Sequence, residues 1–107
     1  MKIVRVSVHQ VDIPIKPMTI SGGRVMSEFD VTLVRIETDT GIEGWGDSVP
    51  WGANFVAAWP RGVRAGIEEL APQLIGRDPR HVGAIAEFMD EAMTGQPFVK
   101  TALDVAC

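Results

Sequence analysis

The sequence has no tyrosine and one cysteine, Cys107, in 107 residues. A single thiol excludes an internal disulfide and fits a reducing cytoplasm. The two histidines, His9 and His81, are isolated, with no acidic or thiol partner at ligand spacing. Neither reads as a metal ligand or a general base. No apolar run approaches the ~20 residues that cross a bilayer. The opening MKIVRVSVHQ interleaves charge with valine, so it lacks the apolar stretch of a secretory signal. There is no block of Lys and Arg, and ten basic against fourteen acidic residues leave a net charge of −4. Nucleic acid and anionic membrane surfaces are therefore poor partners, and the expected setting is cytoplasmic. What remains is ordinary globular chemistry, 46% apolar and 22% charged, with length for one domain and one core.

Period-two patterning fills the first half. Val4, Val6 and Val8 alternate with polar residues, and the apolar phase then slips to Val11, Ile13 and Ile15. This predicts a half-buried strand over Ile3–Ile15 with a bulge near His9-Gln10-Val11. Pro14 and Pro17 donate nothing to a ladder and are expected to end regular pairing. Lys16–Ser27 then reads as a loop turning at Gly22-Gly23, and a connection of that length in a small domain points to function. A second strand is expected over Glu28–Thr38, with Thr32, Val34, Ile36 and Thr38 on one face. Asp39-Thr40-Gly41 is a turn into a third strand, Ile42–Asp47. There Gly44 and Gly46 flank Trp45, which predicts close backbone approach beside a buried indole ring.

Helical spacing fills the second half. Val63, Ile67, Leu70 and Leu74 form one stripe that starts after Pro60, and Pro72 should kink or end that helix. Gly76 is placed to follow its C-terminus. A second helix is expected from Asp78 as N-cap and Pro79, with Val82, Ile85, Met89 and Met93 as its stripe and Gly95 as its end. Glu68-Glu69 and Asp90-Glu91 should be exposed charge. A third helix begins at Pro97 and buries Val99, Leu103 and Ala106. It stops at Cys107 without a cap and reads as interrupted rather than finished. The fold class is therefore α+β, a three-stranded antiparallel meander over about 2–47 followed by a helical bundle over about 60–107.

The segment LVRIETDTGIEGWGD, with KTALDVAC about fifty residues later, resembles the N-terminal capping domain of the enolase superfamily, in its mandelate racemase/muconate lactonizing enzyme branch. The likeness rests on Val34, Arg35, Ile36, Thr38, Asp39, Gly41, Gly44, Trp45 and Gly46, and on Ala102, Leu103, Asp104 and Ala106. Asp47 stands where that family usually has Glu. The resemblance implies that 1–107 is a cap and that a (β/α)7β barrel, absent from this sequence, carries the Mg²⁺ ligands and the catalytic bases. No catalytic residue, metal ligand or cofactor is then expected in this chain, and alone it is expected to be inactive.

The resemblance also implies that two loops, Pro17–Met26 and Ser48–Phe55, close over a small carboxylate substrate. Met18, Ile20 and Arg24 are the candidates in the first; Arg24 either faces a carboxylate or lies in a solvated loop. Trp51, Asn54 and Phe55 are the candidates in the second; they either line a pocket or pack the cap on the barrel. The runs KPMTISGGRV and DSVPWGANF resemble family members that act on cyclic imino acids, the cis-3-hydroxy-L-proline dehydratases and the proline-betaine epimerases. A cationic ring nitrogen suits the face of Trp51. An acid-sugar dehydratase is the third reading. The rival class is a non-enzymatic module that forms homo-oligomers through the apolar face a barrel would cover.

Overall fold

The computed structural model describes residues 1–107, the side chain of Ser21 excepted. One antiparallel sheet is ordered β1 (Ile3–Ile20), β2 (Arg24–Thr38), β3 (Glu43–Ser48). Three helices follow: α1 (Pro60–Leu70), α2 (Val82–Ala92) and α3 (Pro97–Ala106). The α+β class and the meander-then-bundle order agree with the sequence patterning.

The helical stripe builds the core. Val63, Ile67, Leu70 and Leu74 are all buried, against Val34 and Ile36 of the sheet and Val99, Ala102, Leu103 and Ala106 of α3. α1 stops at Leu70 and tightens into a 3₁₀ turn over Ala71–Leu74, because Pro72 has no N–H to give and its ring crowds the preceding turn. The chain then reverses at Gly76 (φ 87°). Its N–H donates to Ile3 O at 2.8 Å, and Ile3 N donates to Arg77 O at 2.8 Å, so this bend pairs with the start of edge strand β1.

Four expectations are corrected. First, Lys16–Ser27 is not a loop but the end of a long hairpin. Pairing runs to Pro14 opposite Glu28, shifts register, and resumes from Met18 opposite Met26 to Ile20 opposite Arg24. The tip is the 3₁₀ turn Ser21–Gly23, which uses Gly22 (φ 80°) and Gly23 (φ 72°). β1 is an edge strand, where proline is tolerated.

Second, there is no bulge at His9–Val11, since pairing is unbroken from Arg5 opposite Glu37 to Pro14 opposite Glu28. Val6 and Val8 oppose core residues Ile36 and Val34, whereas Val11 and Ile13 oppose Val31 and Phe29 on the other face. The apolar phase shifts without a bulge: Val6 and Val8 are half-buried toward the core, whereas Val11 and Ile13 stand exposed on the opposite face.

Third, Trp45 is not core; it is 48% exposed. Strand parity turns Gly44 and Gly46 toward α3, so the ring between them points the other way. A Cβ on Gly46 would lie 2.9 Å from Ala106 N and 3.1 Å from Ala102 C, with Ala102 O nearer still. The Arg35 guanidinium instead sits 5.8 Å from the Trp45 ring centroid.

Fourth, Asp78 does not cap α2. Its carboxylate accepts from Arg80 N at 3.0 Å and its carbonyl accepts from His81 N at 3.2 Å, closing a turn ahead of the helix. α2 begins at Val82, which is 52% exposed, and buries Ile85 and Met89.

Candidate functional site

Two segments meet at the hairpin tip. One is the end of the β1–β2 ribbon, carrying Met18, Ile20 and Arg24. The other is the β3–α1 connection, which leaves the sheet after Ser48 through buried Pro50 and places Trp51 against the ribbon. Trp51 stacks on Phe29 of β2 with centroids 5.7 Å apart and planes at 23°. Phe55 stacks on Trp51 at 5.7 Å and 26°. The connection folds back on itself where Phe55 N and Val56 N donate to Gly52 O at 2.9 and 3.1 Å. Arg24 Nη1 donates to Asn54 Oδ1 at 2.5 Å.

Beside these contacts lies an open cleft of about 240 Å³ lined by Ile20, Arg24, Val25, Met26, Ser27, Glu28 and Trp51. Of the residues anticipated from sequence, Ile20, Arg24 and Trp51 line it directly. Asn54 reaches it through Arg24, and Phe55 through Trp51. Met18 sits two register positions back from Ile20, half-buried opposite Met26, outside the lining. Arg24 does not lie alone in a solvated loop; its guanidinium is held by the Asn54 carboxamide. Sequence reasoning missed Phe29, Met26 and Glu28. Phe29 had a signal, an aromatic on the strand face opposite Val34 and Ile36, but its ring partner lies more than twenty residues away in a connection.

An ion-pair network anchors β2 next to Phe29. Arg64 of α1 reaches Asp30 with Nη1 to Oδ1 at 2.8 Å and Nη2 to Oδ2 at 3.3 Å, and Nη1 also donates to Thr32 Oγ1 at 3.0 Å. Gln10 Nε2 donates to Asp30 at 3.0 Å and to Asp12 at 2.7 Å. The Arg64 hydrogen bond holds the Asp30 carboxyl below the usual carboxylate range, partly opposed by burial and assisted by Gln10. At the other end of the chain, burial and the nearby Asp104 push the Cys107 thiol up to about 11, so it is not a thiolate nucleophile at neutral pH.

A larger groove of about 530 Å³ runs between β1 and the end of α1, but its polar side chains are only Arg5 and Glu68 amid Val4, Val6, Val8, Ala71, Pro72 and Ile75. Among the described residues, no three His, Cys, Asp or Glu side chains converge to hold a metal ion. Among the described residues, no helix is long and apolar enough to cross a membrane.

Residues 3–107 match the family model for the mandelate racemase / muconate lactonizing enzyme, N-terminal domain. The cis-3-hydroxy-L-proline dehydratase of Roseibium aggregatum is 42% identical over 109 residues, covering all of this chain and 30% of that relative. A solved enolase-superfamily member from Roseovarius nubinhibens, complexed with magnesium, superposes with a TM-score of 0.90 at 40% identity, over 99% of this chain and 29% of its own. The dipeptide epimerase of Enterococcus faecalis, complexed with Mg and the dipeptide L-Leu-L-Tyr, superposes with a TM-score of 0.90 at 33% identity, over all of this chain and 30% of its own. The chain thus spans about 30% of the length of the curated relatives it matches.

Proposed function

Since the chain belongs to the mandelate racemase / muconate lactonizing enzyme family of the enolase superfamily, as an N-terminal capping domain, we propose that it closes over the substrate of an enzyme that removes the α-proton of a carboxylate. The observation that carries this reading is the meeting of ribbon and connection in one cleft, with Ile20, Arg24 and Trp51 on its walls. In this proposal residues 1–107 form the N-terminal capping domain, and a (β/α)7β barrel supplies the acid, the base and the magnesium ligands. The residues of this chain exclude water, supply apolar walls through Ile20 and Met26, and present aromatic surface. Trp51 already shares its ring with Phe29 and Phe55, so a cationic ring nitrogen would rest at the end of the stack, on the exposed Phe55 ring.

The proposed substrate is cis-3-hydroxy-L-proline, with dehydration as the outcome. Identity of 42% across the whole chain to a dehydratase of that specificity supports it. Epimerisation of a proline betaine is the second reading. It is favoured by the superposition of a dipeptide epimerase on every element of the cap, because dehydration and epimerisation begin with the same proton abstraction. An acid-sugar dehydratase is third; the D-galactonate dehydratase of Verminephrobacter eiseniae matches 55% of this chain. The cap alone carries no turnover, and we place the complete enzyme in the cytoplasm.

The test is turnover by the barrel-containing enzyme of the hydroxyproline isomers and of proline betaine. Loss of the cis-3-hydroxy-L-proline reaction on Trp51→Ala, mainly through KM, supports the assignment. No reaction with any cyclic imino acid removes the first two readings.

A further inference from the structure

We infer that the hairpin tip and the β3–α1 connection form a single lid, clasped by Arg24 on Asn54, rather than two independent flaps. The inference rests on the cap reading above and adds to it how the cap moves. Two chemically different ties hold the connection to the ribbon, and the second reaches the tip itself. Near its base the connection is held by the Phe29–Trp51 stack. At its far end it is held by the 2.5 Å hydrogen bond from Arg24 Nη1 to Asn54 Oδ1.

A glycine in the connection leaves room for the clasp, and a glycine of the tip packs beside it. Gly52 has φ 142°, and a Cβ there would stand 3.0 Å from Asn54 Oδ1 and 3.4 Å from Arg24 Nη1. A Cβ on Gly22 would meet Asn54 Nδ2 at 3.7 Å. Asn54 therefore lies between a glycine of the tip and a glycine of the connection. The bonds from Phe55 and Val56 to Gly52 O make residues 52–56 one closed turn that carries Asn54.

The partner chemistry sets the strength. A guanidinium binds a neutral carboxamide less firmly than a carboxylate. The clasp holds the resting separation of the segments and still releases. Arg24 acts here as a positioning residue.

Amide hydrogen exchange on the barrel-containing enzyme, with no substrate present, tests this. Arg24→Ala is expected to raise exchange about fivefold in both segments, at the tip amides of residues 18–26 and at the Phe55 and Val56 amides, the size of one lost net hydrogen bond. The β2–β3 ladder near Ile36 should not change. Asn54→Asp, which makes the acceptor a carboxylate, is expected to slow exchange in both segments at low salt and to lose that effect at high salt. A change confined to one segment, no change, or faster exchange in Asn54→Asp overturns the clasp. Coupled exchange with no imino-acid turnover would leave the clasp standing and remove the substrate assignment; the converse would remove the clasp alone.

Discussion

Gly46→Ala and Gly83→Ala are the same chemical change with opposite expected signs. Both glycines lie in regular structure without positive φ, so backbone strain does not separate them. At Gly46 the new methyl would enter the β3–α3 seam, 2.9 Å from Ala106 N and 3.1 Å from Ala102 C, with Ala102 O closer. All three atoms are helix backbone, so no side chain can rotate away, and the strand and helix must part. Overpacking of this kind costs about 3 kcal/mol. For a domain of this size that lowers Tm by roughly 12 °C or more. At Gly83, in the first turn of α2, no atom lies within 4 Å of the added Cβ. Removing the glycine there should stabilise by about 0.5–1 kcal/mol, a rise of a few degrees. Thermal unfolding followed by far-UV circular dichroism reads both. Gly46→Val should be worse than Gly46→Ala if the cause is steric. A Gly46→Ala variant melting within about 2 °C of the parent would refute the seam as described.

Other consequences follow from burial and charge. Leu70→Ala, at a fully buried position of the core, should cost about 2–5 kcal/mol, whereas Trp45→Ala, at an exposed ring, should cost under about 1 kcal/mol; urea unfolding ranks them, and the reverse order contradicts the sheet parity. Asp30 is ionised more readily when folded than its ordinary 3.8, so its pairing with Arg64 stabilises above that pH and is lost as pH falls through the lower folded value. Asp30→Asn should therefore be less stable than the parent at neutral pH, and the gap should shrink below pH 3.8; a gap independent of pH excludes the ion pair as its source. The isolated chain exposes Ile13, Val25, Phe55 and Ile75, and light scattering should give a mass above that of the monomer; a clean monomer argues against a docking face.

The helical half was legible because one physical rule governs it. A stripe at spacings of four, three and four must find cover, and Val63, Ile67, Leu70 and Leu74 all do. Pro72 acted where its missing N–H said it would. The ribbon was less legible. Its period-two signal is real, but Val11 and Ile13 lie exposed on the face opposite Val6 and Val8 in an unbroken ladder, and a phase slip in the sequence looks the same as a bulge. Pro14 and Pro17 do interrupt regular pairing, at the register shift between Pro14 and Met18, but the ladder resumes beyond it, which their positions did not reveal. Trp45 was misread because ring size was weighed above parity: once Gly44 and Gly46 face a helix, their neighbour cannot. At the site, Arg24, Trp51, Asn54 and Phe55 were named from their loops. Their contacts, Arg24 on Asn54 and Trp51 on Phe29, depend on the length of the ribbon, which local pattern did not reveal.

The tight fit of Gly44 and Gly46 against α3 has a consequence for how such caps diversify. It fixes the launching point and direction of the chain as it leaves β3 through Ser48 and Pro50. The connection is fixed again on its way out, where Val56 and Ala58 pack on the core before α1 begins. Between those two anchors Trp51–Phe55 touches none of the buried core. Recognition can then be rewritten over those five positions as a cassette, with no repacking of the helices beneath it.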